Sequence, residues 1–173
     1  MKYVFDTSAV ICLFEKCRLT EELLRFSRRN TLCIPQRVKE EFLRGNVSQT
    51  DKVDLEKIFN VERVALDSRL LPFFSYDDSD GAIWVLSYGL REPGSCCVID
   101  EAFGRSLCEF LRTILRLKLR FTGTIGVLKR MKTSGVLSQG KLRVIRDRIK
   151  QGDFYCDESL LNELEQLLRK DEK

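Results

Sequence analysis

Acidic side chains in this sequence follow short apolar runs at two distant points of the chain. Asp6 follows the run 3–5, and the pair Asp100 and Glu101 follows the run 97–99. If both runs are strands of one parallel sheet, their acids meet at the edge where such sheets bind ligands. Clustered carboxylates repel one another until a cation binds between them. The pattern therefore predicts a site for a hard divalent ion, Mg²⁺ or Mn²⁺.

Two adjacent glutamates, Glu40 and Glu41, lie in the helix-like segment 35–45. At about 100° per residue, Glu41 falls close to the apolar face formed by Val38 and Phe42. Glu40 points nearly the opposite way. We therefore expect Glu41 to face the inside of the protein and Glu40 to face solvent.

Three aspartates, Asp77, Asp78 and Asp80, precede the apolar segment 81–89. One of them is needed to cap a helix there, and the others are candidates for the acidic site. Helix capping is also the alternative interpretation of Asp6, because Asp is a common N-cap residue.

The sequence contains no histidine. This excludes Ser–His and Cys–His nucleophilic machinery, histidine acid–base catalysis and histidine metal ligands. The seven cysteines never occur with C-x-x-C spacing. They are therefore expected to be small buried hydrophobic side chains in a reducing compartment rather than zinc ligands.

Charge is unevenly distributed along the chain. The segment from Arg105 to Lys150 carries a formal charge of +11, and the rest of the chain carries −7. A basic part beside an acidic part is typical of a protein that binds a phosphate backbone and holds a metal ion in a cleft. A solubilising basic surface is the alternative interpretation.

Short apolar runs alternate with segments of helical period. The predicted strands are 2–6, 31–35, 61–66, 96–100 and 119–123. The predicted helices are 9–15, 21–28, 36–44, 54–59, 81–88, 103–117, 125–132, 141–151 and 157–170. This alternation predicts an α/β fold, a three-layer α/β/α sandwich around a mainly parallel sheet of about five strands.

The chain is expected to form a single domain over residues 1–173. Residues 139–173 would be a C-terminal helical extension packed on it, with binding of a partner helix as the alternative. No apolar run approaches the roughly 20 residues of a membrane helix, and the N-terminus lacks a secretory pattern. We therefore expect a cytoplasmic protein without a membrane partner.

Several segments together resemble a known family. They are VFDTSAV, IPQRVKEEF, SDGAIWVLS, VIDEAFGRSL and RFTGTIGVLKRMKTSGVLS. The set resembles a PIN domain, and its closest branch is that of small prokaryotic proteins akin to VapC-type toxins. The similarity runs through the whole chain, including the helical tail. Glu101 stands where Asp would be expected from the family pattern.

The resemblance implies a Rossmann-like nuclease that binds Mg²⁺ or Mn²⁺ through a few acids. The implied catalytic and metal-binding acids are Asp6, Glu41, Asp80 and Asp100, with Glu101 as a further metal ligand. The residues implied to hold these acids by hydrogen bonds are Thr7, Ser8 and Thr124. Basic residues expected to contact nucleic acid are Arg105, nearest the cleft, with Lys129 and Arg130.

The expected function is therefore metal-dependent hydrolysis of RNA phosphodiesters by a metal-activated water. The branch implies a toxin of a toxin–antitoxin pair, with an antitoxin protein as partner, and a homodimer. The alternative is a PIN-like module that binds nucleic acid or protein without cutting. Asp77 or Asp78 in place of Asp80, and Glu40 in place of Glu41, remain open from the sequence.

Overall fold

The computed structural model describes residues 1–45, 48–74, 81–151 and 158–169. Within these residues, five parallel strands form one sheet in the order β3-β2-β1-β4-β5. The strands are β1 (Lys2–Phe5), β2 (Thr31–Pro35), β3 (Asn60–Glu62), β4 (Cys96–Val98) and β5 (Phe121–Thr122). The strand order reverses between β1 and β4, and the loops that follow these two strands lead away to opposite sides. This is the position where open α/β sheets bind their ligands.

Helices lie on both sides of the sheet, which confirms the predicted α/β/α architecture. The α-helices are α1 (Thr7–Ile11), α2 (Thr20–Ser27), α3 (Gln36–Arg44), α4 (Gln49–Ile58), α5 (Gly81–Arg91), α6 (Ala102–Thr113), α7 (Thr124–Thr133), α8 (Gln139–Lys150) and α9 (Glu158–Arg169). A π-helix (Cys12–Lys16) continues α1, and a 3₁₀-helix (Ser68–Phe73) precedes α5. Alternating elements of this kind bury the apolar strands on both faces.

The segment 61–73 differs from the prediction made for it. The strand predicted at 61–66 ends at Glu62, and the chain then continues to the 3₁₀-helix. Asp67 caps that helix by accepting a hydrogen bond from the Arg69 backbone N–H, 3.0 Å away, and Pro72 lies inside it. The periodicity of this segment is too short to distinguish an edge strand from a short helix.

The core is formed by the strands and by the inner faces of the helices. The centre of the sheet contributes Val4, Phe5 and Ile34, which are fully buried. The C-terminal helices join the same core cluster through Leu142 of α8 and Leu164 of α9. None of the helices in the described part of the chain has the length and hydropathy needed to cross a bilayer.

The cysteines of the described residues are free thiols, and most of them are buried. Cys33, Cys96 and Cys97 lie in strands of the sheet, where they occupy core positions. Burial raises the pKa of the Cys33 thiol to about 11, which keeps it protonated near neutral pH. These side chains therefore pack as small hydrophobic groups.

Candidate active site

Asp6 directly follows β1 and lies at the point where the strand order reverses. Its carboxylate is 1% exposed. Oδ1 accepts a hydrogen bond from the Ala9 backbone N–H at 2.7 Å, which caps α1. Oδ2 accepts one from the Asp100 backbone N–H at 3.1 Å. Asp6 is thus a helix cap and also joins the carboxyl ends of β1 and β4.

Asp100 follows β4 and is held by the first residue of α7. Oδ1 accepts the Thr124 backbone N–H at 2.7 Å, and Oδ2 accepts the Thr124 hydroxyl. The approach is close, because a methyl group at Gly123 would lie 2.8 Å from Oδ1. A residue with a side chain at position 123 would therefore displace the carboxylate.

Two glutamates are bound by the hydroxyls that follow Asp6. The Thr7 hydroxyl donates to Glu41 Oε2 at 2.5 Å, and the Ser8 hydroxyl donates to Glu101 Oε1 at 2.8 Å. The first bond joins residues that are 34 apart in the chain, and the second joins residues that are 93 apart. The first turn of α1 therefore gathers side chains from α3 and from the loop after β4. We refer to Asp6, Glu41, Asp100 and Glu101 as the acidic cluster.

Glu40 lies apart from the acidic cluster. Its Oε1 accepts a hydrogen bond from Gln36, and its Oε2 pairs with Arg37 at 3.2 Å. Both partners are on α3 itself, on the outer side of the helix. Of the two adjacent glutamates, Glu41 is the one that contacts the residues after β1.

The acids of the cluster influence one another electrostatically. Burial raises the pKa of Asp6 well above its ordinary value, and the charges of Asp100 and Glu101 raise it further. Burial also raises the pKa of Glu41, the Thr7 hydroxyl opposes this, and the charge of Glu101 adds to it. Glu101 thus acts on acids from two other elements. This mutual repulsion costs folding free energy, and a bound cation would relieve it.

Asp80, Asp77 and Asp78 lie outside the described residues. The neighbouring Gly81 begins α5 against Thr7, where an added methyl group would lie 2.8 Å from the Thr7 hydroxyl. Among the described residues, no three or more Asp, Glu or Cys side chains are placed so that they could hold one metal ion together.

The predicted basic residues lie in different places. Arg105 is in the first turn of α6, and its backbone N–H donates to the Glu101 carbonyl oxygen at 3.0 Å. Its side chain is exposed, one helical turn beyond Glu101. Lys129 lines a depression between α7 and α9. Arg130 is six residues beyond Thr124, about 9 Å further along α7, so the structure does not bring it to the acids.

Two glycines have positions in the site that sequence reasoning missed. Gly81 begins α5 and Gly123 directly precedes α7, both at the edge of the acidic cluster. Each is in close contact with a side chain of the site. A glycine at the start of a helix is the sequence signal that could have indicated this close packing.

Comparison with known families supports this fold. A family model described as a PIN domain matches residues 2–170. Comparisons with curated proteins and with solved structures returned no match. PIN domains are generally nucleases that act on nucleic acids with divalent metals. Because the match covers nearly the whole chain and the acids lie at the sheet edge where the fold binds ligands, this chain belongs to the PIN-domain family.

Proposed function

We propose that this protein is a divalent-metal-dependent endoribonuclease that hydrolyses RNA phosphodiesters. The observation that carries the proposal is the set of hydroxyl–carboxylate bonds at the start of α1 and α7. Thr7, Ser8 and Thr124 hold Glu41, Glu101 and Asp100, which come from two separate parts of the chain, α3 and the loop after β4. Capping a helix requires one acid, so three further fixed acids are in excess of that structural need.

The donor set of the acidic cluster fits Mg²⁺ or Mn²⁺. Both ions prefer oxygen ligands, and every candidate side chain is a carboxylate. Asp6, Glu41, Asp100 and Glu101 would hold the ion only together with a further acid, because the described residues alone contain no such ligand group. Asp80 would complete the set, which is supported by the contact of its chain neighbour Gly81 with Thr7. When bound, the ion supplies an activated water and neutralises charge on the attacked phosphate.

The residues of the chain position the carboxylates and the substrate. The three hydroxyl donors orient the carboxylates, as outer hydrogen-bond partners do in metal sites. Arg105, exposed one helical turn beyond Glu101, would bind a phosphate of the RNA backbone. The +11 segment that contains Arg105 supplies the wider electrostatic attraction.

The biological setting is proposed from the resemblance to VapC-type toxins. In that setting the protein is the toxin of a toxin–antitoxin pair in the cytoplasm, acts as a homodimer, and is inhibited by an antitoxin protein. The support is the ordered set of matching segments, among them VFDTSAV and RFTGTIGVL, together with the PIN-domain match.

The test of the nuclease function is cleavage of a labelled RNA by the Asp100→Asn variant in Mg²⁺ or Mn²⁺. This variant retains the shape of the side chain, and the Thr124 hydroxyl can rotate to accept from the new amide. Cleavage is expected to fall on the order of 10³-fold, because charge stabilisation at the reacting phosphate is lost. The measurement is the initial rate by gel electrophoresis.

Asp147→Asn is the matched control, because Asp147 lies on α8 and pairs with Arg146 outside the cluster. It should cut at the parental rate. Equal rates for Asp100→Asn and the parent would place the chemistry elsewhere.

One observation favours a second function, a module that binds nucleic acid without cutting it. Both oxygens of Asp6 and both oxygens of Asp100 already accept hydrogen bonds from the protein. Such a module would retain RNA in the presence of a chelator and show no turnover in any divalent metal.

A further inference from the structure

A cavity of about 330 Å³ lies at the opposite end of the strands from the acidic cluster. Tyr3 of β1 and Cys96 of β4, which are neighbours in the sheet, form part of its wall. Asp6 is three residues beyond Tyr3, so it lies about 10 Å away along the strand. The volume is at the lower end of the range of small-molecule sites, roughly 300–1,000 Å³.

Three arginines border this cavity, and each comes from a different part of the chain. Arg112 lies near the end of α6, Arg120 directly precedes β5, and Arg130 lies on α7. We refer to the site as the arginine cavity. None of the described residues that line it is an aspartate or a glutamate. The described lining of the cavity therefore carries three guanidinium groups and no carboxylate.

The arginines differ in their partners. Arg112 lies over the ring of Phe121, with 5.5 Å between the guanidinium carbon and the ring centroid. Its Nη1 is also 3.6 Å from Oε1 of the exposed Glu109. Among the described residues, Arg120 and Arg130 form no ion pair with a carboxylate. Their guanidinium groups therefore remain available to an anion.

The Tyr3 hydroxyl shares this space with two of the arginines. Burial raises the pKa of Tyr3, and the charges of Arg130 and Arg120 oppose that rise. The hydroxyl is therefore a neutral hydrogen-bond donor near both guanidinium groups. Leu119 and Phe121 add apolar surface to the same wall.

These features match the chemistry of a phosphorylated nucleotide. Guanidinium groups bind phosphate oxygens through paired, charge-assisted hydrogen bonds. A phosphate alone would leave the apolar wall uncovered, whereas a sugar and base would cover it. We propose that the arginine cavity binds one phosphorylated nucleotide, either free or at the end of an RNA chain. This site is separate from the acidic cluster, and it does not depend on cleavage.

The test is calorimetric titration of the full chain with adenosine monophosphate in the presence of EDTA. Arg130→Gln and Arg120→Gln should each weaken binding about tenfold or more, because each removes charge-assisted bonds to the phosphate. Lys118→Gln is the matched control: it removes the same charge two residues before Arg120 but outside the cavity. It should change the affinity by less than about twofold. All three side chains are exposed, and thermal unfolding of each variant checks that it folds.

Adenosine and inorganic phosphate distinguish a nucleotide site from a general anion site. Both should bind more weakly than the monophosphate, because adenosine lacks the phosphate and inorganic phosphate lacks the sugar and base. Phosphate binding as tightly as the nucleotide, or equal losses in Arg130→Gln and Lys118→Gln, would overturn the proposal.

Short RNAs with a 5′-phosphate or a 5′-hydroxyl distinguish the two sources of the nucleotide. Tighter binding of the phosphorylated RNA, lost in Arg130→Gln and displaced by the monophosphate, identifies an RNA end as the ligand. Binding of the monophosphate without any such preference identifies a free nucleotide. If neither the monophosphate nor the phosphorylated RNA binds, the proposed site is refuted. Because all arms are run without metal, failure of the nuclease proposal would leave these results interpretable.

Discussion

The two ends of the sheet carry opposite charges and hold them in different ways. At the acidic cluster, Asp6 is buried and each carboxylate accepts a hydrogen bond from a backbone N–H or a hydroxyl. At the arginine cavity, the charged side chains are exposed and have few partners in the described residues. The comparison indicates that the geometry of the acidic cluster is set before a ligand binds. The side chains of the arginine cavity, in contrast, adjust to their ligand.

After the Asp100→Asn variant, the largest expected effect separates the two glutamates of α3. Glu41→Gln should lower RNA cleavage on the order of 10²-fold or more, because it removes a charge from the acidic cluster. Glu40→Gln, whose partners are Gln36 and Arg37, should leave the rate unchanged. The measurement is the initial cleavage rate in Mn²⁺. A loss in Glu40→Gln as large as that in Glu41→Gln would show that the cluster has been wrongly defined.

The pH dependence of stability tests the burial of Asp6 beside the other acids of the cluster. The pKa of Asp6 is raised in the folded protein, so folding favours its protonated form. In EDTA, the contribution of Asp6 to the free energy of unfolding should therefore fall as the pH rises from the ordinary Asp pKa through the raised one. The measurement is urea unfolding at pH 5 and pH 7.5.

Metal binding should reverse this loss. At about 100 times its Kd, Mn²⁺ adds about 2.7 kcal/mol at neutral pH, which corresponds to a rise in Tm of roughly 5–10 °C. The rise should be smaller at pH 5, where protons compete for the carboxylates. A Tm at pH 7.5 that does not respond to Mn²⁺ or Mg²⁺ would argue against a metal in the cluster.

The rigidity of the acidic cluster can be tested at Thr124. Thr124→Val removes the hydroxyl that donates to Asp100 and retains the backbone donor. Activity or Mn²⁺ affinity should fall about 10–100-fold, as for other outer partners of metal ligands. Thr124→Ser, which keeps the hydroxyl, should retain most of the activity and of the Mn²⁺ affinity. Thr133→Val, at the other end of α7, removes a hydroxyl whose one bond within the described residues is to the Lys129 carbonyl oxygen, and should have little effect.

The smallest effect concerns the close packing at Gly123. Gly123→Ala would place a methyl group 2.8 Å from Asp100 Oδ1, and should destabilise the protein by about 1–3 kcal/mol. A methyl group at Gly140, in the first turn of α8, meets no atom within 4 Å. Gly140→Ala should therefore stabilise α8 by up to about 1 kcal/mol. Denaturant unfolding measures both, and equal changes would contradict the predicted close contact.

Much of the fold could be predicted because its signals are local. The strands β1, β2 and β4 coincide with apolar runs, and α3 was predicted at its observed bounds. The position of Asp6 and Asp100 after these strands followed from the same pattern. The 3₁₀-helix at Ser68–Phe73 was missed, because a short turn stabilised by one capping side chain has no periodicity to detect.

The arginine cavity could not be predicted from the sequence. The excess of basic residues in 105–150 was evident, and Arg130 was expected to contact nucleic acid alongside Arg105. The direction of α7 instead carries Arg130 away from Thr124, toward Tyr3 and Arg120. Charge counted along a segment does not indicate which end of the sheet each side chain reaches.

The sequence by itself determined the alternation of strands and helices and the acids at the strand ends, because hydrophobic period and strand length are properties of neighbouring residues. Only the tertiary structure decided that Thr7 bonds to Glu41, Ser8 to Glu101 and Thr124 to Asp100. Those contacts depend on the order of the strands in the sheet and on the packing of helices distant along the chain, which no local pattern records.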